Sequence, residues 1–132
     1  MDGFPFVHRD FVRFNDLDGM DHVNNAVFLT YMESARLAYL ESLGAGQNPQ
    51  KSLILARVEV NFRSPISFGE EVETGVRTGR IGTKSFELEQ EVRANGRLAA
   101  ESRSILVAYD YTTNSSRELP AEWRQLLEGV PV

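Results

Sequence analysis

Apolar and polar residues change their spacing twice along this chain. Residues 4–15, FPFVHRDFVRFN, mix aromatic and β-branched residues with charges and predict a first strand, with Pro5 at its entry. Residues 25–43, NAVFLTYMESARLAYLESL, are apolar around far more than half of a helical wheel, which predicts a long helix buried on several sides. Thr30, Glu33, Ser34 and Arg36 interrupt that surface. Glu33 and Arg36 are three apart and can pair on one face, so the bland expectation for them is an internal ion pair or a hydrogen-bonded anchor. GAGQNPQK at 44–51 supplies a terminating glycine and a polar turn.

From residue 53 the period becomes two. In LILARVEVNF, Ile54, Ala56, Val58, Val60 and Phe62 fall on one face, and Arg57, Glu59 and Asn61 on the other. Ser64-Pro65 ends that strand, Gly69 marks the turn out, and a weaker strand runs over 71–80 through Val72, Thr74 and Val76. Gly82 closes a short turn. Phe86, Leu88 and Val92 then point inward, with Glu87, Glu89 and Glu91 outward. Asn95-Gly96 signals a type I′ hairpin turn into a strand over 97–111. The small residues of that strand, Ala99, Ala100, Ser102, Ser104 and Ala108, would let a helix pack closely. Residues 112–118 read as a polar loop, and Pro120 opens a short closing helix. A strand, a long helix and four antiparallel strands make an α+β class in which one sheet encloses the apolar helix, as a single domain over 1–132.

Composition removes several function classes. The net charge of -5 argues against a nucleic-acid partner, which calls for a basic face. The absence of cysteine removes disulfides, thiol nucleophiles and thiolate metal sites together. No basic-then-apolar leader and no apolar run of membrane-spanning length is visible, so the expected setting is cytoplasmic, with no membrane partner.

The candidate chemistry lies at 16–25, DLDGMDHVNN, where a carboxylate-rich loop meets the start of the long helix. Asparagine is a preferred N-cap, and the free N–H groups of a first helical turn suit developing negative charge. Elsewhere the chain has no Gly-x-Ser-x-Gly elbow, no Walker sequence and no dinucleotide fingerprint. Its two histidines, His8 and His22, fit no zinc spacing. DLDGMDH also lacks the EF-hand spacing, so no metal is expected. A carboxylate beside helix N–H donors remains.

RFNDLDGMDHVNNAVFLTYMESAR, from Arg13 to Arg36, resembles the signature of acyl-CoA thioesterases of the 4-hydroxybenzoyl-CoA thioesterase-like, hot-dog-fold family. Members read D-x-D-x-x-G-H-V-N-N before an aromatic-rich helix carrying a Glu and an Arg. NFRSPISFGEEV and GTKSFELEQEV fit the family more loosely. The resemblance implies a curved antiparallel sheet wrapped around one central helix, and a homodimer or homotetramer with sites along the subunit boundary. It implies hydrolysis of acyl-CoA thioesters, with Asp18 as base or nucleophile and the backbone N–H near Asn25 polarising the carbonyl. No cofactor is implied beyond the CoA of the substrate. Asp16 is expected to fix the loop. His22 and Val23 stand at the substrate end of the motif with Asn24, a cap or loop anchor. Arg63, Arg80, Lys84 and Ser85 are candidates for the CoA phosphates and nucleotide end, and Phe28, Tyr31 and Met32 for the acyl channel. Asp21 departs from the usual glycine; it tolerates left-handed backbone better than most residues and would narrow the site, altering selectivity. Two other readings stay open: a thioesterase acting on acyl carrier protein, which the chain's acidity disfavours, and a non-catalytic acyl- or CoA-binding module.

Overall fold

The computed structural model describes residues 1–44 and 49–129. Strand β1 (Phe6–Phe11) leads through a 3-10 turn at Phe14–Asp16 to helix α1 (Asn25–Ser42). Then come β2 (Leu53–Phe62), β3 (Glu71–Ile81), β4 (Ser85–Ala94), β5 (Arg97–Asp110), a two-residue β6 (Ser115–Ser116) and helix α2 (Ala121–Glu128). The strands form one antiparallel sheet in the order β1-β3-β4-β5-β2, with β6 paired to the end of β5. This curved sheet around a central helix is the hot-dog architecture that the motif implied. The first strand is shorter than its sequence pattern, and the loop expected at 112–118 contains β6. Of the turn expected at 44–51, Gly44 takes the left-handed φ of +87° and residues 45–48 lie outside the described part.

Alternation holds where strands are flanked on both sides. Along β4, Phe86, Leu88, Gln90, Val92 and Ala94 are buried, and the residues between them are half-buried. Asn95 and Gly96 have φ of 49° and 81°, the two positive values that a type I′ turn requires. Each large apolar side chain so buried contributes about 2 kcal/mol.

Three expectations fail for identifiable reasons. In β2 a bulge between Leu55 and Arg57 shifts the register by one residue. Leu53 and Leu55 pair with the buried Ala108 and Leu106, whereas Ile54 pairs with Val107 on the other face. The inner face is therefore Leu53, Leu55, Val58, Val60 and Phe62; Ile54 leaves it. Helix α1 is buried along one broad stripe, Phe28, Tyr31, Met32, Ala35, Arg36, Tyr39 and Leu40, rather than on several sides. Its backbone lies closest to β1, β3 and β4, and the small residues of β5 receive its large side chains instead of its backbone. Finally, of the two readings of Glu33 and Arg36 the ion pair fails: Glu33 is exposed, and Arg36 turns inward as a hydrogen-bonded anchor, donating to Gln90 Oε1 at 3.3 Å.

Candidate active site

Asp16 anchors the loop. Its carboxylate is 1% exposed and accepts from the Arg13 backbone N–H (2.9 Å), the Arg13 guanidinium (3.0 and 3.2 Å) and the Tyr31 hydroxyl (2.9 Å). Burial pushes its pKa up, but these donors outweigh burial and hold it below the ordinary carboxylate value. Its backbone carbonyl accepts from Asn24 N–H at 2.8 Å, tying loop to helix start. This is the loop-fixing role expected of it. Nearby on β1, Asp10 has a buried Oδ2 with no hydrogen-bond partner among the described residues, His8 Nε2 lying 3.8 Å away, and burial raises its pKa.

Asp18 sits where the loop folds back. Its Oδ1 accepts from Met20 N–H (2.8 Å) and His22 N–H (3.3 Å), and its own N–H donates to His22 O (2.7 Å). Two backbone donors thus fix the carboxylate's orientation, and among the described residues no hydrogen bond reaches Oδ2. Asp21 closes the turn at φ +63°, the left-handed conformation that explains why glycine suits this position. Its side chain is exposed and does not line the adjoining cavity, so the expected narrowing of the site finds no support.

The amides entering α1 can be accounted for one by one. Val23 N–H donates to Ile66 O (2.8 Å), Asn24 N–H to Asp16 O, Ala26 N–H to the Asn24 side chain (2.9 Å), and Val27 N–H to Asn24 O (2.9 Å). Among the described residues, that of Asn25 alone in this run has no acceptor. It occupies the first helical position, at the positive end of the helix dipole.

Asp18 and Asn25 share a cavity of about 310 Å³ with His22, Val23, Phe28, Phe62 and Arg63, closed at one side by Ser64 and Pro65. The structure therefore brings together Asp18, Asn25, His22, Val23 and Arg63. Arg63 is already held by Glu101, whose Oε1 accepts from its Nε at 3.1 Å. Asn24 is the N-cap and lies off the cavity lining; Tyr31 and Met32 belong to the core. Arg80, Lys84 and Ser85 stand apart within this chain. They flank the β3–β4 turn, while the cavity lies toward the Ala94 end of β4, and a ten-residue strand separates its ends by about 30 Å. Phe62, Ser64 and Pro65 carry no sequence signal for the site, because pattern alone does not say which strand end meets the helix.

A hollow of about 300 Å³ on the outer sheet face is lined mainly by charged residues. Its charges pair with their neighbours, as Arg77 does with Glu89 at 2.7 Å, so it is a solvated charge ladder.

Comparison with known proteins bears on the family and the fold. A thioesterase from Thermus thermophilus, solved in complex with coenzyme A and zinc, is 41% identical and superposes with a TM-score of 0.91 over 100% of both chains. The 1,4-dihydroxy-2-naphthoyl-CoA hydrolase of Nostoc punctiforme is 28% identical over 131 residues, 93% of this chain and 86% of that one. The long-chain acyl-CoA thioesterase FadM of Escherichia coli is 27% identical over 124 residues, 90% of this chain and 94% of its own. A partial match to the uncharacterized protein YsmA of Bacillus subtilis, 28% over 86 residues, spans 58% of that protein. The sequence pattern of the thioesterase-like superfamily matches residues 12–127. Its signature loop, its fold and this match agree: the chain belongs to the thioesterase-like superfamily.

Proposed function

We propose that this chain hydrolyses acyl-CoA thioesters to a carboxylate and free CoA. The observation that carries the reading is that Asn25, whose amide has no acceptor among the described residues, lines the same cavity as Asp18. A water held by Asp18 Oδ2 loses its proton to that oxygen as its own oxygen bonds to the thioester carbon. The charge that develops on the carbonyl oxygen falls on the Asn25 N–H, and one such preorganised donor is worth about 3 kcal/mol. Collapse breaks the C–S bond, and the proton on Asp18 passes to the departing thiolate. Direct attack by Asp18 gives the same products through an anhydride. In a single turnover in ¹⁸O water, label entering Asp18 marks the second route, with water attacking the Asp18 carbonyl of the anhydride.

Among the described residues no three His, Cys, Asp or Glu side chains gather to hold a metal. Both routes are drawn with Asp18 and Asn25. Also among the described residues, no helix is long and apolar enough to cross a membrane, and a cytoplasmic setting fits the reading.

The reading includes a homodimer through β2. That strand is an edge of the sheet, and Leu55 and Phe62 are 43% and 47% exposed on its inner face. Antiparallel pairing of two β2 strands about Val58 sets Arg57 of one copy opposite Glu59 of the other, twice. With Ala56 bulged out of the pairing, it also sets the Lys84–Ala108–Leu53 row of one copy beside Phe62 of the other. With strands about 4.8 Å apart, Lys84 and Ser85 of that copy come within roughly 15 Å of the cavity, a span suited to the length of CoA.

Thiol release from short, long and aromatic acyl-CoAs tests the reaction. Turnover of at least one supports it; CoA binding without any turnover favours the non-catalytic module. Sedimentation as a monomer at micromolar concentration would contradict the dimer.

A further inference from the structure

Because α1 lies over β1, β3 and β4, the inner face of β2 is left open, with a cavity at each end of it. One is the cavity of Asp18 and Asn25. The other is a cavity of about 470 Å³ walled by Leu37, Leu40, Leu53, Leu55 and Leu106, with Arg36 among them. Arg36 is 6% exposed, and the one hydrogen bond it makes among the described residues goes to the neutral amide of Gln90, which in turn donates to Met32 O at 2.8 Å. Among the described residues no carboxylate forms an ion pair with it; Glu33 stands exposed at the rim. A guanidinium does not shed its proton in a protein, so the charge persists inside an apolar wall. Burial lowers its pKa, with Glu33 opposing, as expected of a desolvated cation short of an anion.

We propose that Arg36 receives the distal carboxylate of the acyl group, so that the preferred substrates are acyl-CoA thioesters whose far end carries a carboxylate. This rests on the hydrolytic reading above. Eleven residues of helix separate Asn25 from Arg36, about 16 Å at 1.5 Å per residue. An extended chain advancing roughly 1.3 Å per methylene, from C–C bonds of about 1.5 Å, covers that with about a dozen carbons. The leucines take the methylenes and Arg36 the terminal oxygens, a charge-assisted and geometrically matched pair.

The test compares CoA thioesters of equal chain length ending in a methyl or in a carboxylate, on the full chain. The expected kcat/KM ratio favours the carboxylate end by about tenfold or more, the worth of a charge-assisted hydrogen bond. Arg36→Met should bring the ratio to about one, whatever its absolute rate, and Arg36→Lys should keep part of it. Calorimetry of wild type with free dicarboxylic and monocarboxylic acids of the same length repeats the comparison without a variant and without turnover. Tighter binding of the dicarboxylate with no cleavage of any thioester would uphold Arg36 and remove the reaction. Cleavage of both thioesters at equal kcat/KM, or equal binding of both acids, would overturn the role given to Arg36; pairing of Arg36 with a carboxylate of a second copy would have that outcome.

Discussion

The Tyr31 hydroxyl donates a 2.9 Å hydrogen bond to Asp16, and that bond fastens the loop carrying Asp18 to the second turn of the helix whose first residue is Asn25. The two groups assigned to the chemistry come from different local structures, an Asx-type loop and a helix N-terminus. Neither holds the other directly. Asp16, two residues before Asp18 in the chain, is bonded to the helix through Tyr31 and through Asn24 N–H, and so ties the loop of Asp18 to the turn of Asn25.

Asp16→Asn therefore loosens the site as well as the fold. It weakens four charge-assisted hydrogen bonds and should cost about 2 kcal/mol, roughly 8 °C in Tm for a domain this size. Tyr31→Phe, which removes one bond, should cost about 1 kcal/mol. The pH dependence has a definite sign. Asp16 is held below its ordinary value of 3.8, so its contribution is complete above that value and is lost as the pH falls below it. Acid unfolding of wild type and Asp16→Asn should accordingly converge at low pH; a constant gap across the titration would contradict this.

Asp10 predicts the opposite slope. Burial raises its pKa above the ordinary 3.8, so the folded state binds that proton more tightly and stability falls as the pH rises through the raised value. Asp10→Asn removes the cost of a buried, unpartnered carboxylate oxygen. Thermal melts should show the variant gaining on wild type at pH 7 relative to pH 3. An equal difference at both would remove the assignment.

At Asp21 the left-handed backbone is the constraint, and the exposed side chain is not part of the cavity. Asp21→Gly should change stability by no more than about 1 kcal/mol, since relief of strain offsets the added chain entropy. Rates across acyl-chain lengths should stay within about twofold of wild type, against the selectivity change that the sequence alone predicts. A shifted chain-length profile measured by thiol release would restore that expectation.

Much of this is legible in the chain. The period-two alternation of β4, the Asn95-Gly96 turn and the loop between Asp16 and Asn25 each carry a local physical signal, and each folds as that signal dictates. The bulge after Leu55 carries none: the apolar run Leu53-Ile54-Leu55-Ala56 fits either register, and the extra residue turns Ile54 out and Leu55 in. Arg36 misleads for a related reason. Spacing along a helix shows that Glu33 can reach it, but only the sheet's position shows that Gln90 is nearer and Glu33 faces out. Arg80, Lys84 and Ser85 join the site by resemblance alone, and a strand's length separates them from it within one chain.

The Asn25 amide can be deleted by a side-chain change. Proline is favoured at the first helical position, and Asn24 before it has φ -60° and ψ 139°, the extended conformation that a following proline requires. Asn25→Pro should fold with Tm close to wild type and lose about 100- to 1000-fold in kcat, the worth of one oxyanion donor. Asn25→Ala, which keeps the amide, should retain most activity. Equal rates for the two variants would mean that the amide is not used.

Asp18 is the most direct test of all. Thiol release from the best acyl-CoA substrate should fall by at least about 1000-fold in Asp18→Ala, with the melting curve and CoA binding near those of wild type. Turnover in that variant within tenfold of wild type would contradict the account.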